Sequence, residues 1–209
     1  MSALAISAPL AFPPLVRALA PLVTLGAEAS HEASAREALL DRAMGPGRRR
    51  KASEALRRGR LPAEGLSLAA RDEADTLVGT VRLWNVAAGD DGAPALLLGP
   101  LAVDPAVPRA GIGSALMRRA IAEAQFRGHR AIVLVGDPGF YERFGFSAER
   151  AAALVMPGPF ERHRLLGLEL DPGALSGAAG LIRPTGRRAS ATGGRRPRAP
   201  GHAASVASF

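Results

Sequence analysis

The stretch Leu101-Ala-Val-Asp-Pro-Ala-Val-Pro-Arg-Ala-Gly111-Ile-Gly113-Ser-Ala-Leu116 decides the fold, because an apolar strand runs through it into a short glycine loop that opens a helix. Residues 95–103 are apolar without regular alternation, which indicates a buried strand. Gly99-Pro100 interrupts this run. Proline donates no ladder hydrogen bond, so we expect a bulge or a local splaying of the strand there.

The glycine loop is suited to hold an anion. Gly111 and Gly113 bring bare backbone to the surface, where the first amides of the next helix have no intrahelical partners. Those free N–H groups and the helix dipole favour a phosphate. No acidic residue lies between Asp104 and Glu123, whereas three arginines do. A glycine-tightened turn without a ligand has the same pattern, so the loop alone leaves both interpretations open.

The residues after the loop predict a helix, a strand and a second, short helix. A helix over 111–127 places its apolar residues on one stripe, and Gly128 is suited to cap its end. Residues 131–135 indicate another buried strand. A short helix over 139–144 follows, with Asp137 as its N-cap.

Both ends of this block extend into further predicted elements. They are a strand at 22–25, a helix at 31–43 with Ser30 as its cap, a helical stretch at 48–58, a hairpin of 66–71 with 76–84, and a last strand at 164–170.

With these elements in place, the chain resembles the GCN5-related N-acetyltransferase (GNAT) superfamily, in detail its YhbS-like bacterial branch. Five motifs carry the resemblance: Leu-Gly-Pro-Leu-Ala-Val-Asp-Pro (98–105), Gly-Ile-Gly-Ser-Ala-Leu (111–116), Val-Leu-Val-Gly-Asp-Pro (133–138), Phe-Tyr-Glu-Arg-Phe-Gly-Phe (140–146) and Pro-Gly-Pro-Phe-Glu-Arg-His (157–163). The resemblance implies an α/β (α+β) fold with a mixed, mostly antiparallel central sheet, a splayed strand pair and flanking helices.

The resemblance also implies transfer of an acetyl group from acetyl-CoA to an amine, by direct attack on the thioester. The pantetheine arm would pair with Leu101, Ala102 and Val103, and the Leu101 N–H would stabilise the charge on the thioester oxygen. Tyr141 aligns with the tyrosine that protonates the leaving thiolate. The residues expected to bind the pyrophosphate are Arg109, Ala110, Gly111, Ile112, Gly113 and Ser114.

Several alternatives stay open. Tyr141 also fits a packed aromatic cluster with Phe140, Phe144 and Phe146, which we interpret as packing residues, and Trp84 is more typical of a core than of an acceptor-site wall. The general base is unassigned among Glu54, Glu142, Glu161 and His163. The basic run 48–51 fits a solvated helix face better than a site for an acidic acceptor or a CoA phosphate.

One departure from the family pattern concerns the phosphate loop. Its usual first position, Gln or Arg, falls on Pro108, which supplies neither a long polar side chain nor an N–H. Arg109 is placed to compensate, because a guanidinium binds phosphate through paired hydrogen bonds. If it does not, the chain would be a non-catalytic acyl-CoA-binding or regulatory protein with the same fold.

Composition bounds the remaining possibilities. The 209 residues divide into an apolar leader (1–21), the N-acetyltransferase domain (22–172) and a basic, disordered tail (183–209). The formal net charge of +8 falls to +2 without the six arginines of that tail, yet the tail lacks interleaved aromatics, so nucleic-acid binding is not expected.

The chain has no cysteine, and its four histidines lack metal-ligand spacing, so we expect no metal and no oxidising compartment. The apolar leader is broken by prolines, which makes it a poor signal for export or membrane insertion. We therefore expect a cytoplasmic location, where acetyl-CoA is available. The acceptor is a small-molecule or protein amine, and the resemblance implies a homodimer.

Overall fold

Strands and helices alternate through residues 23–107 and 111–189, which are the residues that this computed structural model describes. The helices are α1 (Ala33–Met44), α2 (Ala52–Arg57), α3 (Ile112–Phe126) and α4 (Pro138–Tyr141). The strands are β1 (Thr24–Ala27), β2 (Ser67–Arg71), β3 (Leu77–Ala88), β4 (Ala93–Val103), β5 (Ala131–Val135), β6 (Leu154–Val155), β7 (Leu165–Glu169), β8 (Gly180–Leu181) and β9 (Arg183–Pro184).

The predicted strands and helices are present, with bounds displaced by a few residues. Ser30 is an exception as a cap, because no side chain caps the helical turn Ser30–Glu32 or α1. Instead, the backbone N–H of Ala29 donates to the Glu32 carboxylate at 2.6 Å. At the other predicted cap, Asp137 accepts from the Gly139 N–H at 3.2 Å, as expected.

The central sheet is mixed and mostly antiparallel. Its main path runs β1-β2-β3-β4-β5-β7, and β9 pairs with β3 as a seventh strand. Only the β4–β5 pair in this sheet is parallel among the described residues. The mixed, mostly antiparallel sheet predicted from the sequence is therefore confirmed.

Strands β4 and β5 separate soon after they meet. Their pairing is limited to Leu96 with Ile132 and Leu97 with Val133. Beyond that point β4 stays paired with β3, and the register shifts between Val81 and Leu83, opposite Gly99-Pro100. The predicted bulge and splay both form here, because Pro100 has no N–H to contribute to a regular ladder.

Apolar side chains cover both faces of the sheet. On one face, α3 buries a stripe of Leu116, Met117, Ala120 and Ala124 against strand residues. The opposite face is covered by a second cluster that includes Leu56, Trp84, Val133, Leu154 and Ile182. The sheet is thus fixed from both sides around the splay.

The ordered chain extends beyond the predicted domain end at residue 172. Strand β9 pairs with Val86 and Ala87 of β3, and Ile182 is fully buried. The backbone N–H of Leu61 donates to the Arg187 carbonyl at 2.8 Å, and that of Ala189 to the Gly59 carbonyl at 3.0 Å. The prediction of disorder from residue 183 is therefore wrong for 183–189.

A two-residue strand and one buried isoleucine leave no periodic pattern, which is why composition misled the prediction in this segment. The predicted leader (1–21) and the rest of the predicted tail lie outside the described residues. Within the described part of the chain, no helix has the length and apolar character needed to cross a membrane.

Candidate active site

A cavity of about 580 Å³ opens where β4 leaves β5. The sheet contributes Trp84 and the bulged segment 98–101, and the far side of the splay contributes Val135 and Tyr141. Helices α1 and α2 and the turn between them form the remaining wall. The cavity therefore reaches the predicted position of the thioester from the side of α1 and α2.

The backbone of β4 directs alternate amides into the splay. The Asp104 N–H donates to the Val78 carbonyl of β3 at 2.8 Å, and the register from Val103 back to Leu101 is continuous. Because successive residues of a strand point to opposite edges, the N–H groups of Leu101 and Val103 face away from β3, toward the gap left by β5. The Ala102 N–H points toward β3, and its side chain is buried.

The indole of Trp84 holds the bulge in place. Its Nε1–H donates to the Gly99 carbonyl at 2.6 Å. The ring is buried in the core, as expected, but it also lines the cavity. Trp84 is therefore both a core residue and part of the cavity wall.

Tyr141 is positioned by tight packing. Its ring meets Phe140 edge-on at 4.9 Å between centroids and approaches Phe146 at 6.0 Å. A Cβ on Gly136 would lie 2.1 Å from the Tyr141 Cε2, so only glycine permits this approach. Burial raises the pKa of the Tyr141 phenol, opposed by the nearby charge of Arg164. The phenol is therefore protonated at neutral pH.

The start of α3 has the features expected of a phosphate site. Gly111 adopts a left-handed conformation (φ 76°) directly before Ile112, and no side chain caps the helix. The first turn contains no acidic residue. A Cβ on Gly113 would lie 3.7 Å from Val103, so the helix start adjoins the end of β4. Pro108, Arg109 and Ala110 lie outside the described residues.

Glu37 is a cavity residue that sequence analysis missed. Its carboxylate accepts from Arg48 at 2.5 Å and from Arg36 at 3.0 Å. Burial raises the pKa of Glu37, but these hydrogen bonds outweigh burial and the net shift is downward. Its neighbours Leu40 and Met44 also line the cavity, so helical spacing in α1 was a usable signal.

The basic run 48–51 is only partly a solvated face. Arg48 is mostly buried and also binds Asp41 at 2.6 Å, whereas Arg49 is exposed. Both arginines and Lys51 line the cavity. The run therefore contributes positive charge to the site.

The four candidate general bases differ in whether they line the cavity. Glu54 lines the cavity and forms an ion pair with Arg57 at 3.1 Å. Glu142, Glu161 and His163 do not line it, and the last two are exposed and lie 3.6 Å from each other. In residues 23–107 and 111–189, no three metal-ligating side chains lie where they could hold an ion together.

Comparison with known proteins agrees with this geometry. The family model described as acetyltransferase (GNAT) domain matches residues 63–148. The uncharacterized N-acetyltransferase YhbS of Escherichia coli K12 is 30% identical over 122 residues, which cover 56% of this chain and 70% of that protein.

Two solved structures share the fold and were determined with a CoA species. The GNAT family N-acetyltransferase YhbS from Escherichia coli, in complex with CoA, aligns with a TM-score of 0.64 and 28% identity, covering 83% of this chain and 92% of that one. A GNAT family acetyltransferase from Brucella melitensis, in complex with acetyl-CoA, aligns with a TM-score of 0.55 and 27% identity, covering 72% and 90%.

Proposed function

The chain belongs to the GNAT family of N-acetyltransferases, in its YhbS-like branch, and on that premise we propose that it transfers the acetyl group of acetyl-CoA to an amine. The observation that carries this proposal is the splay between β4 and β5. Among the described residues, it leaves the Leu101 and Val103 amides without strand partners, and Leu101 lines the cavity together with Tyr141.

Acetyl-CoA would bind along the splay. The pantetheine amides would pair with the β4 backbone at Leu101 and Val103, as an added strand does. Ala102, which the sequence also placed in this contact, pairs with Thr80 of β3 instead and would only flank the pantetheine arm. The pyrophosphate would bind the amides of residues 109–114, at the positive end of the α3 dipole. The CoA and acetyl-CoA complexes of the two similar structures support this assignment.

The reaction follows from these positions. The amine nitrogen attacks the thioester carbonyl carbon, so that a C–N bond forms and negative charge develops on the carbonyl oxygen. The Leu101 N–H stabilises that charge. The C–S bond then breaks, and the CoA thiolate takes the phenolic proton of Tyr141.

The amine must lose a proton before it attacks, because an alkyl ammonium has a pKa of about 10.4. Glu54 is the base that we propose, since it lines the cavity and pairs with a single arginine. Glu37 is a weaker base because its arginine partners lower its pKa. For Glu54→Gln, kcat/KM should fall about 100-fold, the lower end of what general base catalysis supplies.

Calorimetric titration with acetyl-CoA, joined to an assay of CoA thiol release with a panel of amines, tests the proposal. We expect binding together with amine-dependent release. Binding without release for any amine would favour the non-catalytic alternative. No binding by the native chain but binding by Pro108→Arg would place a defect in the phosphate loop.

We also propose a cytoplasmic location and a homodimer for this enzyme. The first follows from the need for acetyl-CoA, and fractionation of cells tests it. The second follows from the family resemblance, and light scattering after size exclusion measures the mass directly.

A further inference from the structure

The cavity beside the splay carries a strong excess of positive charge. Seven arginine and lysine side chains line it, against two carboxylates, Glu37 and Glu54. An excess of this size inside a concave surface raises the local concentration of anions. An anion would bind to those cations that have the fewest hydrogen-bond and ion-pair partners within the protein.

Most of the well-buried cations are neutralised internally. Arg36 and Arg82 share the carboxylate of Glu28, whose side chain is only 3% exposed. Arg48 is held by Glu37 and by Asp41. These side chains fix α1 and its following turn against the sheet and have little capacity left for a ligand.

Arg57 differs from them. Its side chain is 10% exposed, and its Nη2 lies 3.1 Å from Glu54 and 3.4 Å from the Ser53 hydroxyl. Its Nε is buried and has no hydrogen-bond partner among the described residues. Burial is the main cause that lowers the pKa of Arg57, opposed by the charge of Glu54. A buried guanidinium with unsatisfied donors is stabilised by a further anion.

The guanidinium also faces the reacting centre. Its Nη1 lies 3.9 Å from the position that a Cβ on Gly99 would take, at the bulge of β4. Leu101, whose N–H faces the splay, is two residues further along the bulge, and it lines the same cavity as Arg57 and Gly99. One short molecule can therefore bind Arg57 and present a nitrogen at the splay.

We propose that the amine acceptor is an amino carboxylate of amino-acid size, whose carboxylate binds Arg57 while its amino group meets the thioester. This inference rests on the acetyl transfer proposed above and specifies its substrate class. Lys51 and Arg58 line the same cavity and have no carboxylate within 4.0 Å in residues 23–107 and 111–189. They attract the anionic substrate to the entrance.

A phosphate of CoA is the competing anion, and the arrangement of the elements disfavours it. Of the described residues that line the cavity, none belongs to α3. The start of α3 lies instead beside Val103 and Phe140. The predicted phosphate site and Arg57 are thus on different sides of the splay.

Matched substrates test the proposal on the intact chain. Initial rates with acetyl-CoA are measured for glycine, β-alanine and γ-aminobutyrate, each beside its carboxamide, which keeps the size and removes the negative charge. We expect kcat/KM to be roughly 10- to 100-fold higher for at least one carboxylate than for its amide, the range that a hydrogen-bonded charged group provides. Equal rates within every pair overturn the inference and leave acetyl transfer intact.

Arg57→Gln identifies the residue responsible, and Arg130→Gln is the control because Arg130 is an exposed arginine paired with Asp171 away from the cavity. Arg57→Gln should abolish the preference for carboxylate over amide, Arg57→Lys should restore part of it, and Arg130→Gln should retain it. Because Arg57 is paired with Glu54, its substitution can also lower the activity with every substrate. The ratio of kcat/KM between a carboxylate and its amide cancels such a general loss.

Two further outcomes are decisive. If Arg57→Gln keeps the preference for carboxylate over amide, the carboxylate does not bind Arg57. The same conclusion follows if Arg57→Gln weakens CoA binding in calorimetry and Arg130→Gln does not. If acetyl-CoA binds but none of these amines, nor any amine of the wider panel, is acetylated, the proposed function fails and the acceptor class fails with it. An unfolded Arg57→Gln leaves the native substrate pairs as the test.

Discussion

Tyr141 has the protonation state and the restraint that a proton donor to a thiolate needs. A phenol is neutral at physiological pH even without a shift, and burial raises the pKa of Tyr141 further. The ring is confined between Phe140, Phe146 and the bare backbone of Gly136. A confined donor loses little entropy when the thiolate forms, which supports the proposed role of Tyr141 as general acid.

Tyr141→Phe separates the two roles. The substitution keeps the ring and removes the proton, so kcat should fall about 100-fold, the lower end of what general acid catalysis supplies. Calorimetry should give an unchanged Kd for CoA, and the midpoint of thermal unfolding should not move. A stable variant with native kcat would make Tyr141 a packing residue.

Residue roles could be predicted from the sequence only where a local motif carries them. The interruption at Gly99-Pro100 was found this way, because neighbouring residues define it, whereas the role of Tyr141 is a prediction from its family motif. The surroundings of Arg57 and Glu37 come from other parts of the chain: Arg57 is buried near Gly99 of β4, and Glu37 is paired with Arg48 of the turn after α1. A sequence alone does not show which arginines lose their solvent, and the buried guanidinium could not be predicted.

At the scale of elements, the bulge in β4 depends on a side chain of β3. Trp84→Phe keeps most of the buried ring but leaves the Gly99 carbonyl without its donor. We expect the free energy of unfolding to fall by about 1–2 kcal/mol, as for a lost buried hydrogen bond. Since Leu101 follows the bulge, kcat should also fall about tenfold through misplacement of its N–H.

Chemical denaturation and steady-state kinetics on Trp84→Phe measure both quantities. An unchanged kcat, with the loss confined to stability, would mean that the indole supports the core without positioning the β4 backbone. The Kd for CoA serves as the control for general damage to the splay.

Glu32 links the turn before α1 to strand β2. Its carboxylate accepts from the Arg71 Nε at 2.7 Å and from the Ala29 N–H at 2.6 Å. The hydrogen bond from Arg71 is the main cause that lowers the pKa of Glu32 below 4.5, against the opposing effect of burial. This ion pair contributes stability that is complete above pH 4.5 and is lost as the pH falls through the folded-state pKa.

Glu32→Gln should therefore lower the free energy of unfolding at pH 7 by about 2 kcal/mol, and the difference from the native chain should shrink as the pH drops below 4.5. Urea denaturation at a series of pH values measures it. Glu73→Gln is the control, because Glu73 is exposed in the turn after β2, and it should change the free energy of unfolding little. A difference that is independent of pH would contradict the assignment.

Strands and helices were predicted correctly where the apolar pattern extends over several residues. The buried stripe of α3 and the continuous run of β5 were both found. The strands β8 and β9 each have two residues and depend on pairing with distant segments, which local pattern does not reveal. The disorder predicted for residues 183–189 was wrong for the same reason.

For the whole molecule, the segment after β7 is part of the folded unit. It buries Ile182, and its backbone donates from Thr185 and Gly186 to the Asn85 carbonyl at 3.1 and 3.0 Å. A chain that ends at residue 189 keeps all of these contacts. A chain that ends at residue 181 should lose about 3 kcal/mol or more, from the burial of one isoleucine and several hydrogen bonds.

Thermal and urea unfolding of the two truncated chains, side by side, measure this difference. Equal stability of both would mean that β9 contributes nothing to the sheet. The comparison also shows whether the folded unit extends past residue 181.

The most direct measurement of the central claim is mass spectrometry of the reaction products. The native chain is incubated with isotopically labelled acetyl-CoA and the paired amines described above, beside Tyr141→Phe. We predict a labelled N-acetyl amine that accumulates in step with free CoA and forms far more slowly with the variant. Saturable acetyl-CoA binding without any labelled product would contradict the assignment of this chain as an N-acetyltransferase.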